Sequence, residues 1–197
     1  EAVGTREQRI TQVQSTDSFG INVRALVGGS WGFSATQLFD REAISAMARE
    51  AVAVARANNA VAPSTTVLAP VDIYLDASWT TPHSIDPFSV SLDDKAALLL
   101  RANEEALRID DIRFASSSIL SVKEERLVAT SEGSFIDQTF LRINPAMNIT
   151  AISADGSDFQ TRGATVEPAG RGYEYVLGLD LVGNAPRWAE EAAMKLQ

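Results

Sequence analysis

Apolar and polar residues alternate with a period of two near the start of the chain, a pattern typical of half-buried strands. This alternation predicts one strand from Phe19 to Val27 and a returning strand from Ser30 to Thr36. Gly28 and Gly29 stand between them and supply the positive φ angles that a two-residue hairpin turn requires. The sequence therefore predicts a β-hairpin here.

The returning strand carries the most distinctive side chains of this hairpin. Trp31 and Phe33 are two residues apart and so lie on one face of the strand. Gly32, between them, leaves the opposite face bare for another segment to approach closely. Residue chemistry alone favours a hairpin of the core, in which both rings are mainly structural.

Apolar residues that recur every three or four positions predict a helix from about Arg41 to Ala57 and another from Arg187 to Leu196. Asp40 has the side chain of an N-cap for the earlier helix. The later helix would open at Asn184-Ala185-Pro186, because proline is tolerated in a first turn. Pro63 to Thr66 is a turn-rich connection after the earlier helix.

A second long helix is predicted from Leu92 to about Ile109, and Ser91 followed three residues later by Asp94 resembles a capping box. The residues expected to be buried are Ala96, Leu99, Ala102, Ala106 and Ile109. The residues expected to be exposed are Lys95, Arg101, Glu104, Glu105 and Arg108.

Strand patterns occupy much of the remaining chain. A half-exposed edge strand is predicted from Arg6 to Ser15, leading into the hairpin as a meander, and a short strand from Val71 to Leu75. After Asp110 the predicted strands are Ile112 to Lys123, Glu125 to Thr130, Ser134 to Ile143, Met147 to Ala154 and Ser157 to Arg162. Asp155-Gly156 is a turn signal, and Gly163 to Gly172 reads as a surface loop.

Because no helix separates these later strands, antiparallel pairing is favoured. The sequence predicts an α+β protein with a mixed, mostly antiparallel sheet, two long helices and a C-terminal helix. We expect residues 1–197 to form a single domain.

Composition excludes several classes of function. The net charge is −9, and the 17 Lys and Arg residues are scattered, which argues against a nucleic-acid partner. No apolar run approaches the roughly 18 residues of a membrane span, so no membrane association is expected. The chain has no cysteine and so has neither a disulfide framework nor a thiolate ligand.

Candidate catalytic chemistry is sparse. His83 is the single histidine, whereas the common zinc sites combine several imidazole, thiolate or carboxylate ligands, so we expect an ordinary loop histidine. The adjacent acidic pairs, such as Asp93-Asp94, point in different directions and do not converge as a glycosidase pair must. The loop Pro168 to Gly172 completes no phosphate-binding motif. The residues therefore predict no catalytic and no metal-binding residue in this chain.

Five motifs, in the order in which they occur, resemble the TldD/PmbA family, and in particular its TldD-like branch. They are Phe19 to Val27, Gly29 to Thr36, Ile85 to Phe88 with Ser91 to Lys95, Thr130 to Gly133, and Gly170 to Glu174. The set extends over nearly the whole chain.

This resemblance implies the N-terminal domain of a metal-dependent peptidase that acts on peptides or unfolded polypeptides, commonly as a homo- or heterodimer. It implies that zinc is held by a His-Glu-x-x-x-His motif in a C-terminal domain beyond Gln197, so that this chain has no cofactor of its own and is inactive alone. It also implies that a first strand precedes Glu1. We expect Trp31, Gly32 and Phe33 to contribute to peptide binding or assembly, and a cytoplasmic location.

Two other functions remain open. The chain is alternatively a non-catalytic peptide-binding or scaffolding module that shares the fold, or a self-contained hydrolase that uses carboxylates. A downstream His-Glu-x-x-x-His motif would favour the peptidase, a stop codon after Gln197 would favour the module, and activity of the chain alone would favour the hydrolase.

Overall fold

The computed structural model describes residues 1–64, 66–164 and 166–196. Thr65, in the predicted connection after the first helix, and Thr165, in the loop predicted from Gly163 to Gly172, lie outside the described residues, as does Gln197. The chain divides into two compact units, one formed by Glu1–Ser15 with Ile73–Gln197 and one by Thr16–Asp72. We name them the sheet unit and the hairpin unit. The single domain expected from the sequence stays a prediction.

The elements follow one another with strands and helices intermixed. The strands are β1 (Ala2–Arg6), β2 (Arg9–Gln14), β3 (Ile21–Val27), β4 (Ser30–Thr36), β5 (Ala77–Thr80), β6 (Ile112–Ala129), β7 (Phe135–Ile152) and β8 (Phe159–Gly163). The helices are α1 (Arg41–Val61), α2 (Leu92–Leu107), α3 (Glu174–Gly178) and α4 (Leu181–Ala193), with 3-10 turns at Pro87–Ser89 and Met194–Leu196.

The sheet unit has its strands in the order β2-β1-β6-β7-β5, with β8 also paired to β7. Every described pair is antiparallel except β5 with β7. This arrangement confirms the predicted α+β class with a mixed, mostly antiparallel sheet, two long helices and a C-terminal helix.

The centre of the sheet is one hairpin of two 18-residue strands, β6 and β7. The breaks predicted near Lys123 and between Ile143 and Met147 are wrong. The charged residues after Lys123 lie on a part of β6 that is largely exposed, where they do not disturb a core. Pro145 pairs with Ile119 within the ladder, and its fixed φ is compatible with extended backbone.

The predicted meander is also wrong, because β1 and β2 form their own hairpin through a turn in which Glu7 has a φ of 49°. β2 is an edge strand, as expected from the pattern between Arg6 and Ser15. The strand predicted from Val71 to Leu75 is not formed. The chain instead turns at Asp76 (φ 50°) and then forms β5, where Trp79 packs against Phe140 at 5.1 Å between ring centroids.

The core of the sheet unit lies between one sheet face and helices α2 and α4. Its buried residues include Leu99, Ala106, Ile119, Ile149 and Trp188. Of the predicted stripe on α2, Ala96, Leu99, Ala102 and Ala106 are buried and Ile109 is half-buried. Ser91 caps α2 by accepting a hydrogen bond from the Asp94 N–H at 3.0 Å, as predicted.

Lys95 contradicts the prediction that it is exposed, since only 1% of its surface is accessible. Its Nζ donates to the Glu1 carboxylate at 2.7 Å and lies 5.8 Å from the centroid of the Phe88 ring. A lysine ammonium group is tolerated in a buried position when a carboxylate forms an ion pair with it.

The other helix boundaries differ modestly from those predicted. α1 begins after Asp40, whose carboxylate accepts from the Ala43 N–H at 2.8 Å, and continues past Ala57 to Val61. α4 begins earlier than predicted because Asp180 caps it through the Gly183 N–H at 3.1 Å, which leaves Pro186 inside the helix.

Candidate functional site

The hairpin unit presents two contrasting faces. β3 and β4 pair residue by residue from Ile21 to Thr36 through Gly28 (φ 57°) and Gly29 (φ 82°), so the predicted hairpin and turn are confirmed. Its inner face packs on α1. A Cβ on Gly32 would overlap the Ala51 carbonyl oxygen and lie 2.5 Å from the Ala55 nitrogen. Gly32 therefore permits close packing of a helix backbone on the strand.

Trp31 and Phe33 share the opposite face, as their spacing predicted. That face is exposed, with accessibilities of 38% for Trp31 and 56% for Phe33, so the expectation of a core position for the rings is wrong. The reason is that the small residues of β4, Gly32 among them, let α1 cover their face, which leaves the rings outside. The Arg24 guanidinium lies 5.2 Å from the centroid of the Trp31 ring on this outer face.

A shallow depression of about 440 Å³ lies on the same unit, at the open end of the hairpin. Phe19 and Phe33 border it together with the amide side chains of Asn22 and Gln37. Phe19 meets Phe39 edge-on at 5.3 Å, and both rings are largely exposed. The outer face thus offers exposed aromatic surface to a partner, whereas Gly32 acts through internal packing.

The sheet unit offers a strand edge. β2 is the outermost strand, and all six of its residues are exposed, including Ile10 at 50% and Val13 at 55%. The register with β1 shifts between Gly4 and Thr5, which leaves Thr11 as the extra residue of a β-bulge. In the described part of the chain β2 pairs with β1 alone, so its outer main-chain groups remain open to an added strand.

Glu174 is the centre of a polar cluster in the sheet unit. Its carboxylate accepts from the backbone N–H groups of Gly172 (3.0 Å), Ile85 (3.0 Å) and Ser84 (3.2 Å). Burial alone would raise the pKa of Glu174, but these three donors and the N–H of Glu174 itself together outweigh it and hold the pKa below its ordinary value. The sequence indicated Glu174 only as part of a family motif, because two of its three donors, Ser84 and Ile85, lie about 90 residues away in the chain.

His83 lies beside this cluster as an exposed loop residue, with Nδ1 2.8 Å from the Thr81 carbonyl oxygen. Several acidic residues of the sheet unit lie in ion pairs: Glu104 and Glu105 contact Arg108, and Glu124 bridges Arg126 and Arg142. Hydrogen bonds from Arg142, and then from Arg126, lower the pKa of Glu124.

Among residues 1–64, 66–164 and 166–196, no group of three or more His, Cys, Asp or Glu side chains is arranged to hold a metal. These donors do not fit a zinc centre, and we assign no chemical step to them. No helix in the described ranges is long and apolar enough to cross a membrane.

The fold and the matches to family models define a class of protein. Residues 1–55 match the model of PmbA/TldA metallopeptidase domain 1, and residues 85–197 match that of the PmbA/TldA metallopeptidase central domain. The chain belongs to the PmbA/TldA metallopeptidase family. This confirms the resemblance to TldD/PmbA proteins, while the TldD-like branch stays a prediction.

Individual relatives agree with this family. A metalloprotease of Synechocystis sp. is 28% identical over 187 residues, which represent 91% of this chain and 37% of that protein. A Thermotoga maritima structure described as a candidate modulator of a DNA gyrase has a TM-score of 0.71 at 14% identity, over 98% of this chain and 41% of that one. The structure of TldE from Thermococcus kodakarensis has a TM-score of 0.57 at 13% identity, and the match covers 100% of this chain and 41% of that one. The chain thus spans well under half the length of these relatives.

Proposed function

We propose that this chain is the N-terminal, substrate-holding part of a zinc-dependent peptidase that acts on peptides or unfolded polypeptides. The family membership and the metalloprotease names of its relatives support this assignment. In this proposal the zinc belongs to another domain of the whole protein, and the chain alone binds peptide without cleaving it. We further propose a cytoplasmic location.

The observation that carries the proposal is the open edge of β2. An extended peptide gains main-chain hydrogen bonds by adding to such an edge, and these bonds do not depend on its sequence. The exposed Ile10 and Val13 side chains add apolar contact along the strand. This mode of binding suits a peptidase that accepts unfolded segments.

The aromatic outer face of the hairpin unit has a second role in the proposal. Trp31 and Phe33 expose large rings that suit contact with a peptide or with the partner of a homo- or heterodimer. Gly32 contributes indirectly, because it lets α1 pack closely against the opposite face of β4 and so fixes the strand that carries both rings.

The first experiment measures binding and hydrolysis by the 197-residue chain. A fluorescent unfolded peptide is incubated with the chain, with added zinc and, separately, with a chelator. We expect saturable binding and no cleavage under either condition. Zinc-dependent cleavage by the chain alone would contradict the proposal, as would the absence of binding at millimolar protein.

The second experiment tests the edge in the whole protein that contains this chain. Adjacent strand residues direct their N–H groups to opposite edges, so proline is placed at Gln12 and, in a separate variant, at Val13. We expect the variant that loses the outward donor to raise the peptide KM severalfold with little change in kcat. Val13→Thr, which keeps the N–H, is the matched control. An unchanged KM in both proline variants, with circular dichroism showing intact folding, would overturn the edge model.

A further inference from the structure

A groove of about 490 Å³ lies beside β2 on the face of the sheet that α2 and α4 leave open. Four strands contribute to it: Arg6 on β1, Thr11 on β2, Phe114 and Ser116 on β6, and Asn148 on β7. Thr11 is the bulged residue of β2, and bulges re-aim side chains next to binding sites. The groove therefore adjoins the strand edge assigned above to the peptide.

Its polar residues are in register across neighbouring strands. Arg6 is directly opposite Ser116, and Ser116 is directly opposite Asn148. Since neighbouring strands are about 4.8 Å apart, this row places a guanidinium, a hydroxyl and an amide within roughly 10 Å. That is the span of a small anionic group with its hydrogen-bond donors around it.

The donors of this row are available. Within the described residues the side chains of Ser116 and Asn148 have no hydrogen-bond partner, and the same holds for Thr11. Arg6 uses Nε for the Glu7 carboxylate at 3.3 Å, while its Nη atoms have no partner in the same ranges. The groove thus presents unpaired donors on the open face of the sheet.

The charges of the groove favour an anion. The Arg6 guanidinium carbon lies 5.1 Å from the centroid of the Phe114 ring, a cation–π contact that holds the guanidinium beside the groove. Arg9 is the cross-strand partner of Arg6, and two like charges in this position repel each other unless an anion lies between them. Glu7 offsets one of the two charges, which leaves a local excess of one positive charge on a chain of net charge −9.

We propose that this groove binds a carboxylate of the bound polypeptide, at a point where the polypeptide leaves the β2 edge and crosses the open face of the sheet towards β7. The guanidinium of Arg6 would pair with both carboxylate oxygens, and Ser116 and Asn148 would donate to them, while Arg9 adds positive charge at the turn. The carboxylate comes either from the C-terminus of the peptide or from an acidic side chain. This inference rests on the proposed peptide-binding function and adds the chemistry that would be recognised.

The experiment compares three fluorescent hexapeptides by anisotropy with the 197-residue chain. One uncharged sequence is made as the free acid and as the C-terminal amide, and a third peptide is an amide with one internal glutamate. We expect the free acid to bind about tenfold or more tightly than the plain amide, because hydrogen bonds to charged groups are the strong ones. Tight binding of the glutamate-containing amide as well would identify an acidic side chain as a second source of the carboxylate.

Variants assign the preference to the groove. Arg6→Gln and Asn148→Ala should each reduce the ratio of free-acid to amide affinity towards one, with circular dichroism unchanged. Arg101→Gln makes the same change of charge on the exposed face of α2 and should keep the ratio. Equal binding of all three peptides, or a ratio that survives Arg6→Gln, would overturn the groove and leave the strand edge standing. Binding of none of them would overturn the peptide-binding function itself.

Discussion

Gly32 is a position where one added methyl group should strongly disturb the packing of the hairpin unit. In Gly32→Ala the new Cβ would overlap the Ala51 carbonyl oxygen and lie 2.5 Å from the Ala55 nitrogen. Both contacts are with the backbone of α1, which cannot rotate away as a flexible side chain does. The helix and strand must therefore separate.

The distance by which the helix and strand must separate determines how much stability the variant loses. Ordinary van der Waals contact to a Cβ begins near 3.4 Å, so the 2.5 Å contact with Ala55 alone requires a shift of about 1 Å along the packed face. Inserting a methylene into a well-packed core typically costs about 1–3 kcal/mol, and a backbone clash belongs at the upper end of that range. For a unit of this size we expect the melting temperature to fall by roughly 10 °C or more.

Thermal unfolding combined with amide hydrogen exchange is the appropriate assay, because exchange reports the hairpin unit separately through the amides of Ala51 to Ala55. Gly20→Ala is the matched control in the same unit, since its Cβ would meet only the Thr36 carbonyl oxygen at an ordinary 3.5 Å. If Gly32→Ala melts and exchanges like Gly20→Ala, then close approach of α1 is not what the glycine provides.

Two further predictions concern the sheet unit. Lys95→Met removes the buried partner of Glu1 and leaves the Glu1 carboxylate, which is only 19% exposed, without its cation. We expect this variant to be destabilised by about 3 kcal/mol in urea unfolding, and the double variant with Glu1→Gln to regain part of that stability. A Lys95→Met variant as stable as the parent would contradict the role of the pair. Because the pKa of Glu174 is held below its ordinary value of 4.5 in the folded state, its ionised form stabilises the fold above that value, and this contribution is lost as the pH falls through the lowered folded-state pKa. Glu174→Gln should therefore lose less stability than the parent when melting temperatures are measured between about pH 5 and pH 3, and parallel curves would refute this account of the carboxylate.

Local patterns predicted much of the secondary structure because they act over a few residues. The hairpin turn at Gly28-Gly29, the caps at Asp40 and Ser91 and the buried stripe of α2 depend on backbone geometry and helical spacing within single elements. Strand lengths were harder to predict, because a charged run or Pro145 ends a strand only when no partner strand supports it.

In the candidate sites, too, local spacing predicted some features and only tertiary contacts decided others. Spacing alone placed Trp31 and Phe33 on one face, but their exposure depends on which face α1 covers. Glu174 and Lys95 have partners about 90 residues away, and local spacing contains no information about such contacts. The row of Arg6, Ser116 and Asn148 is likewise created by strand register.

The sequence by itself determined the class of fold, most helix and turn positions, the hairpin and the family resemblance, because each depends on residue types that are close in the chain or on motifs in a fixed order. Tertiary structure alone decided which faces are covered, why Lys95 is buried, and how β1, β6 and β7 bring unpaired donors together beside an open strand edge. The physical reason is that burial and charge pairing depend on distances between residues far apart in sequence, which are fixed only when the sheet and helices pack.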